Sequence, residues 1–149
     1  MTDKICNEIS CSCGACYLYL NDTYPKYSLM CACEDCRQAL SWAEKHGGEK
    51  PKNILYSVYL RSDISNYFGL ENMFVTHLRD EATSTRLYCK KCYSCIAIDH
   101  VNYHNNVFMI QPDHCKQNFN VYIPPKAVIN LQDHPEDFIE LDSDTIPVF

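Results

Sequence analysis

Clustering of cysteines constrains this chain more than any other feature. Seven of its eleven cysteines fall into three short segments, which are Cys11-Ser12-Cys13, Cys31-Ala32-Cys33-Glu34-Asp35-Cys36 and Cys89-Lys90-Lys91-Cys92. A structural zinc takes four soft ligands, commonly as two pairs from distant parts of a chain, whereas a reactive zinc has three protein ligands and an open fourth position. The grouping into two, three and two therefore predicts two zinc ions, one structural and closed, the other open.

The two paired segments predict the closed site. Cys11 and Cys13 lie beside one apolar strand pattern, and Cys89 and Cys92 lie beside another. Gly14 gives the backbone the freedom to turn its amides toward a sulfur, as zinc knuckles require. The alternative is a set of unrelated buried cysteines, which are common one at a time. Two pairs beside two strands favour a single four-cysteine zinc site.

The three-cysteine segment predicts the second ion. Cys31, Cys33 and Cys36 can all reach one metal, and the acids between them, Glu34 and Asp35, are poorer partners for an ion already held by thiolates. Two alternatives stay open: a redox dithiol formed by Cys33 and Cys36, and a second structural site completed by a distant residue. We expect a labile or catalytic zinc with an open position.

The remaining cysteines and the histidines offer fewer ligands. The other four cysteines are Cys6, Cys16, Cys95 and Cys115. Cys16 forms a Cys-x-x-Cys with Cys13, and Cys95 forms one with Cys92, so spacing leaves an alternative ligand choice open. Their strand-like surroundings favour small buried side chains. His100 and His104 are four residues apart but lie among asparagines, which predicts a loop rather than a metal site.

Length and composition set the class of protein. A chain of 149 residues has the length of one domain, so we expect a single domain over residues 1–149. Its first eight residues hold no apolar leader segment, and no apolar run approaches the roughly 20 residues of a membrane span. We therefore expect a cytoplasmic protein in a reducing compartment, with no membrane partner.

The net charge of −6 is concentrated at the C-terminal end. Residues 1–132 hold all 13 basic residues and 13 of the 19 acidic ones, so the six surplus acids lie in residues 133–149. This acidic segment is predicted to be a solvated surface, with a partner-binding segment as the alternative. Neither part carries a basic excess, so no nucleic-acid partner is expected.

Short alternating segments rich in aromatic and branched residues predict a mainly β fold of packed antiparallel sheets with little helix. The predicted strands are residues 17–20, 27–30, 55–60, 95–98, 107–110 and 119–123. The best helical pattern covers residues 38–45, and the Gly47-Gly48 pair after it is typical of a helix end.

The motifs resemble those of the family of glutathione-dependent formaldehyde-activating enzymes and centromere protein V. That family has Cys-x-Cys-Gly, then Cys-His-Cys-x-x-Cys-Arg, then Phe-Cys-x-x-Cys-Gly-Ser. The corresponding segments here are Cys11-Ser12-Cys13-Gly14, Cys31-Ala32-Cys33-Glu34-Asp35-Cys36-Arg37 and Tyr88-Cys89-Lys90-Lys91-Cys92-Tyr93-Ser94, followed by an ending similar to the family's, Asp144-Thr145-Ile146-Pro147-Val148-Phe149. Ala32 and Tyr93 stand where the family often has His and Gly.

The resemblance implies a zinc-stapled β-tent and a carbon–sulfur lyase. It assigns the structural zinc to Cys11, Cys13, Cys89 and Cys92, and the catalytic zinc to Cys31, Cys33 and Cys36. The implied substrate is a small thiol, with glutathione adding to formaldehyde to give S-hydroxymethylglutathione, or the reverse cleavage. Arg37 would attract a glutathione carboxylate, with a solvated or structural arginine as the alternative. The rival function is a non-enzymatic zinc module with two structural zincs and an aromatic face for a protein partner.

Overall fold

Two β-sheets and one α-helix make up the part of the chain described by the computed structural model, which covers residues 7–21, 24–77 and 83–130. The strands are β1 Asn7–Ser10, β2 Tyr17–Leu20, β3 Pro25–Cys31, β4 Leu55–Arg61, β5 Ile64–Phe68, β6 Met73–Thr76, β7 Ser84–Cys89, β8 Cys95–His100, β9 Val107–Ile110, β10 Lys116–Gln117 and β11 Val128–Ile129. Helix α1 spans Glu34–Glu44, and 3₁₀ turns occupy Leu70–Asn72, Val101–Tyr103 and Pro112–His114. The predicted mainly β class is confirmed. Cys6 and segment 133–149 lie outside the described residues.

The smaller sheet has the strand order β10-β1-β2-β5, and all its neighbouring strands are antiparallel. β2 follows the two-residue period of a half-buried strand, because Leu18 and Leu20 are buried while Tyr17 and Tyr19 are only partly covered. β1 and β2 form a hairpin. The turn of this hairpin carries the first cysteine pair.

The larger sheet has the order β11-β3-β4-β9-β8-β7-β6. β11 runs parallel to β3, and the other neighbouring pairs are antiparallel. β7 and β8 form a hairpin with a register shift between Leu87 and Tyr88. The turn of this hairpin carries the second cysteine pair, and β3 ends at Cys31, directly before α1.

The larger sheet carries a hydrophobic core on each face. On one face Val58 and Leu60 pack with residues of the smaller sheet such as Leu18. Tyr59, which lies between them in β4, packs into the second core with Leu40 of α1. Because side chains alternate along a strand, one sheet can contact the smaller sheet on one side and the helix on the other.

The predicted helix over residues 38–45 is confirmed in its body and begins four residues earlier than expected. Glu34 and Asp35 occupy the first turn, where negative charge favours the helix dipole. The backbone amide of Gly48 donates to the Ala43 carbonyl at 2.9 Å, which satisfies one of the last carbonyls of the helix. The earlier start places Cys36 on the helix itself.

Five of the six predicted strands lie within β2, β3, β4, β8 and β9, but the strand predicted over residues 119–123 is wrong. Side chains take the place of a neighbouring strand there. The Tyr122 amide donates to Asn120 Oδ1 at 3.0 Å, and the Ile123 amide donates to the Tyr56 hydroxyl at 2.8 Å. The Ile123 carbonyl accepts from Ser28 Oγ at 2.7 Å. The segment is therefore fixed without a ladder.

Candidate metal centres

The two hairpin turns bring four thiols together. The four-cysteine cluster consists of Cys11, Cys13, Cys89 and Cys92, whose Sγ atoms all lie within 4.8 Å of one another. Cys11 and Cys89 are fully buried, and Cys13 is exposed. The pairs come from different sheets, so the cluster connects the smaller sheet to the larger one.

The spacing of the sulfurs fits a tetrahedral ion. A zinc–sulfur distance of about 2.3 Å places tetrahedral ligand atoms about 3.8 Å apart. The Sγ atoms of Cys11 and Cys13 are 3.6 Å apart, and those of Cys13 and Cys89 are 3.7 Å apart. Both distances therefore fit tetrahedral coordination of one metal ion.

Backbone amides also point at these sulfurs. The Cys16 amide donates to Cys11 Sγ, and the Lys91 amide donates to Cys89 Sγ, both at 3.3 Å. Gly14 adopts φ +80°, and Tyr93, in the second turn, adopts φ +57°. Left-handed residues let a tight turn direct its amides inward, which is the knuckle geometry predicted from the sequence. Such donors stabilise thiolates.

Serine hydrogen bonds also connect the two hairpin turns that carry the four-cysteine cluster. The Ser12 amide donates to Ser94 Oγ at 3.0 Å, and Ser94 Oγ lies 3.2 Å from Cys92 Sγ. Burial raises the pKa of the Cys92 thiol, but hydrogen bonds with Ser12 and Ser94 outweigh that effect and lower it to about 5. Burial raises the pKa of Cys89 to about 11, so a metal would have to displace that proton.

The second group of thiols is built by one short segment. The three-cysteine cluster consists of Cys31, Cys33 and Cys36, with Sγ atoms within 4.8 Å of one another. Cys31 ends β3, Cys33 is the N-cap of α1, and Cys36 lies in its first turn. Strand, cap and helix thus aim the three sulfurs at a common point. In the described ranges no fourth Cys, His, Asp or Glu joins them, Glu34 and Asp35 included.

Hydrogen bonds divide the protons unevenly within the three-cysteine cluster. Bonds from the thiols of Cys31 and Cys36 lower the pKa of Cys33. Hydrogen bonds with Cys31, the largest cause, and with Cys33 raise the pKa of Cys36. Contacts among the three thiols therefore move their pKa values apart. Soft, close-set sulfurs of this kind are suited to a thiophilic ion such as zinc.

Two distant side chains complete the surroundings of this cluster. Asn130 Nδ2 donates to Cys31 Sγ at 3.6 Å, and Arg86 Nη2 donates to Cys36 Sγ at 3.8 Å. Arg86 is only 4 % exposed and also lines a cavity of about 200 Å³. The cavity is lined by Ala39, Trp42, Thr76, His77, Arg86 and Tyr88. The three-cysteine cluster thus lies beside a concave space.

Arg37 has structural contacts. Its Nη1 donates to the carbonyls of Ala32 and Asn53, the latter at 3.1 Å. These bonds fasten the cluster segment to the loop before β4. The predicted role of Arg37 toward a glutathione carboxylate stays a prediction, and the contacts of Nη1 match the structural alternative.

The remaining described cysteines lie outside both clusters. Cys16 Sγ lies 3.8 Å from the Gly69 carbonyl, and Cys95 Sγ lies 3.9 Å from that of Ala97. Burial raises the pKa of Cys95 and of Cys115 to about 12; Cys95 is buried and Cys115 is partly buried. All ten cysteines in the described ranges are free thiols, and none of the five described histidines joins a cluster.

Neither a family model nor a curated protein matches this chain. Its class is therefore given by fold and site: a mainly β protein with two cysteine clusters that can each hold a metal ion. Within residues 7–21, 24–77 and 83–130, every helix is too short or too polar to cross a membrane.

Proposed function

We propose that the chain is a zinc-dependent carbon–sulfur lyase of the formaldehyde-activating enzyme and centromere protein V family, acting on a small-thiol adduct such as S-hydroxymethylglutathione. One observation carries the proposal: of two cysteine clusters, one has a complete ligand set and the other has three thiols beside a cavity. Among the described residues the second cluster is one ligand short of a closed site, which is the ligand count of a reactive zinc. The motifs around both clusters support the family.

The proposed reaction needs a prepared sulfur nucleophile. A zinc ion with three thiolate ligands and an open position would bind a fourth thiol as its thiolate at neutral pH. In the forward direction the thiol sulfur adds to the carbonyl carbon of formaldehyde, the carbon–sulfur bond forms, and the thiol proton ends on the new hydroxyl group. Cleavage is the reverse, so no redox partner is required.

The residues of the chain supply position and shelter for this chemistry. Cys31 and Cys36 are buried, and Cys33 is partly exposed, so Cys33 is the member of the cluster that an incoming thiol can reach from solvent. Trp42 and Tyr88 wall the adjoining cavity with aromatic surface. Restricting how the thiol can lie is a direct source of rate acceleration, because it removes orientational freedom before the bond forms.

Exchange spectroscopy tests this function, because it observes formation and cleavage of S-hydroxymethylglutathione at equilibrium. The zinc-loaded protein is expected to exceed the uncatalysed exchange rate. Cys33→Ser is expected to return the rate to background while the four-cysteine cluster keeps its metal. Cys115→Ala, which removes a thiol outside both clusters, serves as the matched control. No acceleration by fully loaded protein would reject the lyase.

A second candidate, a non-enzymatic zinc module that binds a protein, is favoured by strand β5. All five of its residues are exposed, and it lies at the edge of the smaller sheet. Tyr67 and Phe68 are 53 % and 58 % exposed, which gives this edge an aromatic surface. Exposed apolar strands at sheet edges are common sites of protein contact. Metal-loaded protein that neither binds thiols nor accelerates exchange would support this candidate.

A further inference from the structure

A buried arginine connects the three-cysteine cluster to the neighbouring cavity. Arg86 lies in β7 and is 4 % exposed, and its side chain is on the same strand face as Tyr88, toward α1. Its Nη2 lies 3.8 Å from Cys36 Sγ. In the described part of the chain this is the one hydrogen bond of its side chain, and no carboxylate pairs with the guanidinium. A guanidinium has five N–H donors, so most of its donor capacity is not used by Cys36.

Arg86 also borders the cavity. Arg86 is one of the six lining residues, and Thr76 lies directly opposite it on β6. Ala39, on another wall, is one helical turn after Cys36. Arg86 therefore both lines the cavity and contacts the cluster through Cys36. An anion in this space would accept hydrogen bonds from the guanidinium donors that Cys36 does not use.

The lining and size of the cavity limit which ligands can fit. At about 200 Å³ it is smaller than the 300 Å³ or more of typical drug-sized pockets, so it admits a short group rather than a whole tripeptide. A planar guanidinium matches a carboxylate with two parallel hydrogen bonds. Trp42 and Tyr88 would cover the methylene groups that lead from such a carboxylate to a sulfur.

We propose that Arg86 and this cavity form a carboxylate subsite, which selects carboxylate-bearing thiols over neutral ones. This deepens the proposed function and rests on thiol binding at the three-cysteine cluster. The ligand is either a free mercapto acid or one carboxylate-bearing arm of glutathione. In both cases the sulfur lies at the cluster and the carboxylate at Arg86.

The chain has an intrinsic probe for this subsite. Trp42 is its one tryptophan, and it lines the cavity, so tryptophan emission reports on this place alone. Metal-loaded protein is titrated with 3-mercaptopropionate and with 2-mercaptoethanol, a neutral thiol of similar size, while metal content is monitored. The acid is expected to bind roughly tenfold or more tightly than the neutral thiol, as one charge-assisted contact provides.

Variants locate the source of the preference. Arg86→Gln is expected to reduce the ratio of the two dissociation constants to about one while both metals stay bound. Arg61→Gln, which alters an exposed arginine at the end of β4, is the matched control and is expected to keep the wild-type ratio. Arg37→Gln tests the rival carboxylate site that the motifs imply. A preference that survives Arg86→Gln, or one that disappears only in Arg37→Gln, would overturn the assignment.

Wild-type measurements keep the proposal testable if Arg86→Gln does not fold. Propionate has the carboxylate without the sulfur and is expected to shift Trp42 emission and to displace 3-mercaptopropionate. Equal affinity for the two thiols overturns the subsite but leaves thiol binding intact. A propionate response without any thiol binding supports the subsite and rejects the proposed function. Glutathione that binds with the same Arg86 dependence identifies its arm as the ligand, and failure of glutathione alone identifies a smaller acid.

Discussion

The two cysteine clusters are made in opposite ways. In the four-cysteine cluster, Cys13 and Cys89 are 76 residues apart in sequence and come from hairpins of different sheets. The three-cysteine cluster is contained in one segment, from the end of β3 to the first turn of α1. One cluster exists only when the sheets have come together, whereas the other needs only a local strand–helix junction. Cysteine ligands thus form a long-range contact in one cluster and a local contact in the other.

This difference predicts that the two metals contribute differently to folding stability. Where ligands meet only on folding, the free energy of metal binding becomes free energy of folding. A local cluster contributes less to folding because its residues are already close in the unfolded chain. We therefore expect metal at the four-cysteine cluster to hold the sheets together, and metal at the three-cysteine cluster to be exchangeable.

The largest effect is expected from breaking the four-cysteine cluster. Cys92→Ser removes one of its ligands and should release that metal. The free energy of unfolding should fall on the order of 5 kcal/mol, as losses of structural metal are among the most severe single changes. For a domain of this size the melting temperature would fall by about 10–20 °C. Calorimetry with metal analysis measures both quantities.

Cys115→Ala is the control for this change, because it removes a thiol that contacts neither cluster. It should keep both metals and lose only a small amount of packing. If Cys92→Ser retained its full metal content and melting temperature, the interpretation of the four-cysteine cluster as the structural site would be wrong.

Mild chelation should distinguish the clusters without mutation. Three ligands hold an ion less firmly than four and leave it open to competitors. One metal equivalent should therefore leave first while far-ultraviolet circular dichroism is unchanged, and the second should leave only with unfolding. Cys33→Ser should lack the labile equivalent from the start. Release of both metals in one step together with unfolding would contradict a difference between the clusters.

Sequence was sufficient for strands with a clear apolar pattern. β2 alternates between buried and partly covered residues, β4 is a nearly continuous apolar and aromatic run, and both were predicted. β5 was missed because all its residues are exposed, so no buried face marks it. Residues 119–123 have a strand pattern, but hydrogen bonds to side chains such as Tyr56 replace the ladder. Periodicity reports burial well and pairing poorly.

The same limit applies to the sites. Ligand spacing is local, so both cysteine clusters could be predicted from short segments. Arg86 and Asn130 could not, because they lie 50 and 99 residues from the cysteines that they contact. Only the folded sheet places β7 behind α1 and the residue after β11 beside the end of β3. The cavity and its cation were therefore outside the reach of motif analysis.

Tyr93 tests how the four-cysteine cluster is connected to helix α1. It follows Cys92 in the knuckle, but its ring stacks on His46, with centroids 4.8 Å apart, and meets Trp42 and Phe74 edge-on. Trp42 lies in α1, and His46 lies in the turn after it. An aromatic contact thus joins the four-cysteine knuckle to the helix that bears Cys36.

Tyr93→Gly sets backbone strain against these contacts. Glycine would relieve the left-handed conformation, at φ +57°, which costs other residues about 1–2 kcal/mol. It would also remove the burial of a large ring and three aromatic contacts, together worth about 3 kcal/mol or more. We expect a net loss of about 1–2 kcal/mol in unfolding free energy with both metals retained. Tyr93→Phe, which keeps the ring, should be nearly neutral, and a more stable glycine variant would show that strain dominates.

The smallest effect on stability is expected from the ion pair between Lys52 and Asp113. Lys52, in the loop after α1, lies 3.2 Å from Asp113, in the 3₁₀ turn before β10, with side chains 73 % and 52 % exposed. Solvent screens such a pair, and ordering two mobile side chains offsets most of the attraction. Lys52→Ala should therefore change the free energy of unfolding by less than about 0.5 kcal/mol, and Asp113→Asn should behave alike. Denaturant unfolding of both single variants and of the double variant measures this effect. If each single variant lost more than about 1 kcal/mol and the second change added no further loss, charge as well as aromatic packing would couple the clusters.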